Sequence, residues 1–294
     1  MVSLQGRFLN WYLTCIGFKH GMGKDIEQGN NRAAVPSAKI MKRNSAQAKD
    51  FEGRKVWYFH PRSGRLDAPK EIVIFLHGGA YFYDILKEHF PPWAKIADLS
   101  GELVVLPSYP LTPQASAKEI TDFAYRCFLD IQSRYPEAKI ILGGDSAGGG
   151  LALQVTQRLI AEGEGLPVHM ILWSPWVDVS RDNPALEAQD ARSVIIGIKG
   201  ALTAAELYQG DLDAKDPAIS PIYGELAALP PMSLVTGSRD LLHPDIMRFD
   251  AAAKSAGASL DTQIWEEQNH YFMYLPQPEA SKVHRQTAQL IQSI

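Results

Sequence analysis

Ser146 stands in the run Ile140-Ile141-Leu142-Gly143-Gly144-Asp145-Ser146-Ala147-Gly148-Gly149-Gly150. Here an apolar stretch ends in Gly-x-Ser-x-Gly and a helical pattern starts straight after it. A strand that turns sharply into a helix at a serine is the setting of a nucleophile elbow, with glycines at 144 and 148 leaving room for the turn. A serine hydroxyl in that place attacks an electrophile once a base takes its proton. Alone the pentapeptide is weak evidence, because a glycine-rich strand–helix turn also binds phosphate. A second turn agrees with it. Phe75-Leu76-His77-Gly78-Gly79-Ala80 also closes an apolar strand, and backbone N–H groups in such a loop can receive a developing oxyanion.

The base that serves a serine is usually a histidine oriented by a carboxylate. After Ser146 the candidates are His169, His243, His270 and His284. His169 opens a strand and is expected inside the sheet. His243 precedes Pro244 at a helix start. His284 lies within the last helix and is expected at the surface. His270 lies in Glu266-Glu267-Gln268-Asn269-His270-Tyr271-Phe272, between the last strand and the last helix, where it can swing over the serine. His270 is therefore the expected base. The acid belongs after the preceding strand, where Leu234-Val235-Thr236-Gly237-Ser238-Arg239-Asp240 turns on Gly237 and presents Asp240. Asp245 is the runner-up, since a carboxylate in a first helical turn already has a capping role. Asp145 and His77 read as supports, His77 tying down its own loop.

The elements that must position these groups alternate. Strands are expected at Lys55–His60, Glu71–His77, Glu102–Leu106, Lys139–Leu142, His169–Trp173, Pro231–Thr236 and Leu260–Trp265. Helices are expected at 88–99, Ala115–Tyr135, Gly148–Glu162, Pro244–Ala256 and Pro278–Ile294. Pro61–Pro69 reads as a hairpin loop. Continuous β-branched runs alternating with amphipathic helices imply a mostly parallel central sheet flanked by helices, an α/β architecture. Two regions break the rhythm. Residues 1–45 look helical and then loose. The stretch from Ser180 to Pro230 is too long for a simple crossover and holds helical pieces near Asp190–Lys199 and Thr203–Gln209. We read 1–45 as N-terminal lid helices and 46–294 as a catalytic domain with a lid insertion at about 180–216, because long insertions in such sheets are usually functional.

Composition narrows the function. With 294 residues, 46% of them hydrophobic, and a net charge of −4, the chain builds a large core and lacks the basic footprint of nucleic-acid binding. Two cysteines form no disulfide framework and the eight histidines show no zinc spacing, so no metal or other cofactor is expected and the location expected is cytoplasmic. Phe8 to Phe18 is apolar but short and interrupted, an amphipathic helix with no stable membrane anchor. Apart from that helix, no long apolar stripe suggests a lipid-docking face. The aromatic residues Tyr81, Phe82 and Trp176 are candidates for a substrate pocket, and Trp11, Tyr12 and Phe18 are either lid residues over the substrate or the packing face of the lid.

Taken together, His77-Gly78-Gly79-Ala80, Gly144-Asp145-Ser146-Ala147-Gly148-Gly149, Ser174-Pro175-Trp176-Val177-Asp178 and Gly237-Ser238-Arg239-Asp240 with His270 resemble the hormone-sensitive lipase family of α/β-hydrolases, its bacterial carboxylesterases above all. The resemblance runs from about Lys55 to the C-terminus. It implies Ser146 as nucleophile, His270 as base and Asp240 as acid. It implies an oxyanion hole from the N–H groups of Gly79, Ala80 and Ala147, with Gly78 allowing the turn. Two departures stand out: Ala80 replaces the usual fourth glycine, and Tyr109-Pro110-Leu111-Thr112-Pro113-Gln114 ends in glutamine where the family has glutamate. The activity implied is hydrolysis of short- to medium-chain acyl esters, small molecules, without a cofactor. An amidase such as an arylformamidase would use the same triad, and a catalytically silent binding protein would keep the fold. A homodimer through the sheet edge near the last strands is the assembly expected.

Overall fold

Eight strands join one sheet in the computed structural model, which describes residues 2–29, 31 and 33–294. They are β1 (Gln47–Phe51), β2 (Arg54–Phe59), β3 (Glu71–Leu76), β4 (Leu103–Pro107), β5 (Lys139–Asp145), β6 (His169–Trp173), β7 (Met232–Gly237) and β8 (Leu260–Trp265). Their spatial order is β1-β2-β4-β3-β5-β6-β7-β8. The pairings β1–β2 and β2–β4 are antiparallel and the remaining five are parallel. The helices are α1 (Leu4–Cys15), α2 (Gly21–Gln28), α3 (Ala38–Arg43), α4 (Phe90–Ser100), α5 (Ala117–Arg134), α6 (Ala147–Glu162), α7 (Ala185–Asp190), α8 (Ile198–Gln209), α9 (His243–Ser255) and α10 (Pro278–Ser293).

The strands bury both faces, and alternate residues serve opposite layers as the two-residue period requires. On one face Ile72, Ile74, Ile140, Leu142, Leu172 and Leu234 pack with α5, α6 and α9 through Phe128, Leu151 and Phe249. On the other, Val73, Phe75, Ile141, Ile171, Trp173 and Val235 pack with α4 and α10 through Trp93, Ala97, Val283 and Ile291. Phe75, Trp93 and Trp173 form an aromatic stack in that second layer, with ring centroids 3.9 to 5.3 Å apart. Ser116 and Glu119 start α5 with a reciprocal capping box, which satisfies two otherwise orphaned N–H groups.

Two sequence expectations are corrected. The hairpin is β1–β2, and its turn is Glu52-Gly53 with φ of 50° and 78°, the left-handed pair that suits a tight two-residue hairpin turn. Pro61–Pro69 instead links β2 to β3, which are not neighbours in the sheet. His284 is buried, not superficial, and its Nε2 lies 2.8 Å from the Met273 carbonyl oxygen. His169 is half-buried, with Nε2 3.0 Å from Ser233 Oγ.

Candidate active site

β5 delivers Ser146 at the carboxyl end of the parallel strands. The serine holds φ 52° and ψ −123° between β5 and α6, a costly conformation for a residue with a side chain. The surroundings fix it. Its N–H donates to the Trp173 carbonyl at 3.0 Å, and its carbonyl accepts from Trp176 N–H at 2.7 Å and from Gly149 and Gly150. A β-carbon on Gly148 would run into the carbonyls of Leu76 and His77, so the helix approaches β3 only through glycine.

β7 and the turn after it place Asp240, which is completely buried. Its Oδ1 accepts from Leu242 N–H at 2.9 Å, and its Oδ2 lies 2.8 Å from His270 Nδ1. An ionised carboxylate only accepts, so the ring proton sits on Nδ1 and Nε2 is left with its lone pair. Ser146 and His270 line one cavity of about 610 Å³. The sequence thus brings Ser146, Asp240 and His270 to one place from three loops. Asp245 is elsewhere engaged, with Oδ1 accepting from Asn183 and Arg248.

The glycine loop also opens on this cavity through Gly78, Gly79 and Ala80. Gly78 N–H donates to Asp145 Oδ1 at 2.9 Å, so it is occupied and is not an oxyanion donor. The N–H groups of Gly79, Ala80 and Ala147 meet no acceptor among the described residues. Gly79 has φ 134°, and a β-carbon there would lie 2.5 Å from the Tyr83 carbonyl oxygen. Ala80 adopts φ 54°, so alanine takes up a left-handed conformation that glycine would hold without strain.

Asp145 and His77 act as supports. Asp145 Oδ1 also accepts from Tyr274 hydroxyl at 2.8 Å, and Oδ2 lies 3.8 Å from His89 Nε2. Burial penalises its charge, but the His89 ring, Tyr274 and Gly78 N–H outweigh that and hold its pKa below the usual carboxylate range. The elbow and the glycine loop are therefore joined through one carboxylate. His77 stacks on Tyr109 at 4.2 Å, and its carbonyl accepts from Tyr109 hydroxyl at 2.5 Å. Burial pushes the His77 pKa down to about 4, so the ring is neutral. Thr112 donates twice to the Tyr81 carbonyl, so the Tyr109–Pro113 segment braces the loop while Gln114 is exposed.

The aromatic candidates take other places. Tyr81 is fully buried, stacked 3.5 Å from Tyr208 and 6.0 Å from Trp176. Phe82 is also buried, edge-on to Tyr83. None of Tyr81, Phe82 and Trp176 lines the cavity, whose apolar wall comes from Ile16, Phe18, Leu86, Ile195, Ile196 and Tyr271. Of the N-terminal aromatics, Phe18 reaches that wall while Trp11 and Tyr12 are exposed. Several supports carried no sequence signal. Gln189 of α7 donates to the carbonyls of Ser238 and Asp240 at 2.9 and 2.7 Å. Asn269, next to His270, accepts from Val194 N–H and donates to Asn10. A wider groove of about 970 Å³ between α4 and α10 contains none of Ser146, Asp240 and His270.

An elbow serine at the end of a mostly parallel sheet, with a glycine loop and a His–Asp pair on the same cavity, defines an α/β-hydrolase architecture. Comparison with known proteins agrees: the profile of the α/β-hydrolase fold family matches residues 73–274. The chain belongs to that family, in its hormone-sensitive-lipase-like branch. An acetyl-hydrolase of Streptomyces hygroscopicus is 31% identical over 201 residues, 67% of each chain. An esterase of Acinetobacter venetianus is 28% identical over 214 residues, 70% of each. Among solved structures, an esterase from the bacterial hormone-sensitive lipase family superposes with a TM-score of 0.76 at 25% identity over 84% of each chain. A hormone-sensitive lipase homologue from a metagenome library, EstE7, shares the fold with a TM-score of 0.84 at 23% identity over 98% of each.

Proposed function

We propose that this carboxylic ester hydrolase is a serine esterase for short- to medium-chain acyl esters, with Ser146, His270 and Asp240 as its triad. The observation that carries the reading is the strained elbow serine sharing one cavity with a His270 ring whose Nδ1 is held by buried Asp240. In this mechanism His270 Nε2 takes the Ser146 proton as Oγ attacks the ester carbonyl. The N–H groups of Gly79, Ala80 and Ala147 stabilise the tetrahedral oxyanion, each contributing on the order of 3 kcal/mol to the barrier. The alcohol leaves with the proton from His270, and water then attacks the acyl-enzyme with His270 as base again. Asp240 holds the tautomer and stabilises the imidazolium.

The N-terminal helices and the insertion after β6 act as the lid in this reading. Ile16, Phe18, Ile195 and Ile196 supply the apolar wall from those two segments, and Lys19 pairs with Asp190 between them at 3.2 Å. A cavity of about 610 Å³ suits a substrate of drug-like size. The open edge of β8, with Ile264 exposed, is the surface we assign to homodimer formation, which light scattering reads directly.

Parallel assays on p-nitrophenyl esters from C2 to C12 and on N-formyl aromatic amines test the substrate class. Preference for an ester of C2 to C8 is the expected outcome. Selectivity for the formyl amides would transfer the same residues to amidase chemistry.

A further inference from the structure

The loop that carries His270 is strained at both ends. Glu267 holds φ 58° and Tyr271 φ 66°, a left-handed conformation that disfavours any residue with a β-carbon. Such strain persists only where the surroundings over-determine it. Two of the groups that do so follow β7. Ser238 Oγ accepts from Glu267 N–H at 2.8 Å, and Arg239 Nη1 donates to the Glu267 carboxylate at 3.2 Å. Another comes from the far end of the chain.

α1 lies along this loop with one face. Ser3, its N-cap, is followed by Gly6 and Asn10 at spacings of three and four, which puts all three on one side of the helix. Ser3 donates from its N–H and Oγ to the Glu279 carboxylate at 2.6 and 2.9 Å. Gly6 packs so closely on Gln277 that a β-carbon would lie 2.8 Å from Gln277 Oε1. Asn10 reaches the loop of the base itself. Its Nδ2 donates to the Glu267 carbonyl at 3.0 Å, and its Oδ1 accepts from Asn269 Nδ2 at 2.8 Å. Asn269 is buried, and its Oδ1 accepts from Val194 N–H at 3.1 Å. A relay thus runs from Val194 N–H through Asn269 and Asn10 to the Glu267 carbonyl. A backbone donor closes one end and a backbone acceptor the other, so neither amide can turn over without losing bonds.

We infer that Asn10 is a positioning residue for His270. It holds the carbonyl of the strained Glu267 and the side chain of Asn269, the residue before the base, so docking of α1 sets where the imidazole stands. Asn10 does not line the Ser146 cavity, so its effect passes through the loop and not through contact with substrate. The inference rests on the proposed function, in which His270 is the base for Ser146.

The test compares Asn10→Ala, Asn10→Asp and Ser3→Ala with wild type. Three quantities are measured: steady-state hydrolysis of p-nitrophenyl acetate, the second-order rate of fluorophosphonate labelling of Ser146, and the thermal unfolding midpoint. Asn10→Ala removes both bonds. Asn10→Asp keeps an acceptor for Asn269 but sets a carboxylate oxygen against the Glu267 carbonyl. Both should lower kcat and the labelling rate by about 10- to 100-fold, the scale of a misplaced catalytic group. KM should stay within about threefold, because no contact with substrate is lost. A residue that only stabilised the fold would lower the midpoint and leave the kcat of the folded enzyme unchanged. Ser3→Ala loosens the start of α1 without touching residues 267–270 and should keep kcat within about twofold. Wild-type rates in either Asn10 variant would overturn the inference. So would a rise in KM at unchanged kcat, which would make α1 a wall of the substrate site, or an equal loss in Ser3→Ala, which would make any loosening of the helix sufficient. Labelling of wild type without ester turnover would fail the esterase reading alone, since the labelling rates still decide the role of Asn10. No labelling of wild type would overturn both.

Discussion

Replacing Asp240 by asparagine separates the acid assigned here from its neighbour. The carboxylate accepts at both oxygens, from Leu242 N–H at 2.9 Å and from His270 Nδ1 at 2.8 Å, in a completely buried site. An asparagine has one oxygen and one NH₂, so it satisfies only one of these donors. If its oxygen stays on Leu242, the NH₂ faces His270 Nδ1, the ring adopts the other tautomer, and Nε2 carries the proton that should come from Ser146. If its oxygen stays on His270, the NH₂ opposes Leu242 N–H at a cost of about 1–3 kcal/mol in a site closed to water. The first arrangement avoids that cost, so kcat is expected to fall by about 10³ to 10⁴, a barrier increase of about 4–5.5 kcal/mol. Asp245→Asn is the control, since Asp245 bonds Asn183 and Arg248 and no ring nitrogen. Its kcat should stay within about threefold of wild type, under about 0.7 kcal/mol of barrier. Stopped-flow acylation with p-nitrophenyl butyrate measures both. An Asp240→Asn enzyme within tenfold of wild type, or an equal loss in Asp245→Asn, refutes the reasoning.

Three further outcomes follow from the geometry. Gly79→Ala puts a side chain at φ 134° and 2.5 Å from the Tyr83 carbonyl, so it should displace one oxyanion donor and cut kcat by about 10² to 10³ with KM much less affected; steady-state kinetics decides. Gln189→Ala leaves the buried Ser238 carbonyl without its side-chain donor and removes one of two donors from the Asp240 carbonyl, which keeps the His243 N–H, and denaturant titration should show a loss of about 1–3 kcal/mol. His284 has its pKa pushed down to about 4 by burial, against about 6.5 in the unfolded chain. The unfolded state therefore binds the extra proton first as pH falls, and stability is lost between about pH 6.5 and 4, by about 3 kcal/mol for this one residue. Denaturation midpoints at pH 7 and 4 should diverge less in His284→Gln than in wild type; an equal divergence would remove His284 as a cause.

Much of this was legible in the sequence because the parallel strands carry uninterrupted apolar runs. His169–Trp173 and Leu260–Trp265 coincide with β6 and β8, and the elbow at Ser146 and the turn at Asp240 lie where their glycines indicate. β1 was not legible, because Gln47-Ala48-Lys49-Asp50-Phe51 is a polar edge strand whose pairing with β2 comes from the Glu52-Gly53 turn. Gly21–Gln28 also has too little apolar content to announce the helix α2. The cavity wall was the least readable part. Tyr81, Phe82 and Trp176 look like pocket aromatics but pack inward, while Ile195 and Ile196 line the serine's cavity from a stretch expected to be helical that instead connects α7 to α8. Which side of a chain faces a cavity is decided by tertiary packing, here by Gln189 and Asn269 anchoring the insertion to the acid and histidine loops.

The most direct test of the central claim is fluorophosphonate labelling with peptide mass mapping, run beside p-nitrophenyl ester hydrolysis for wild type and Ser146→Ala. We expect a single adduct on Ser146 and ester turnover that falls to background in Ser146→Ala. Full turnover by Ser146→Ala, or an adduct on another serine, would contradict the account.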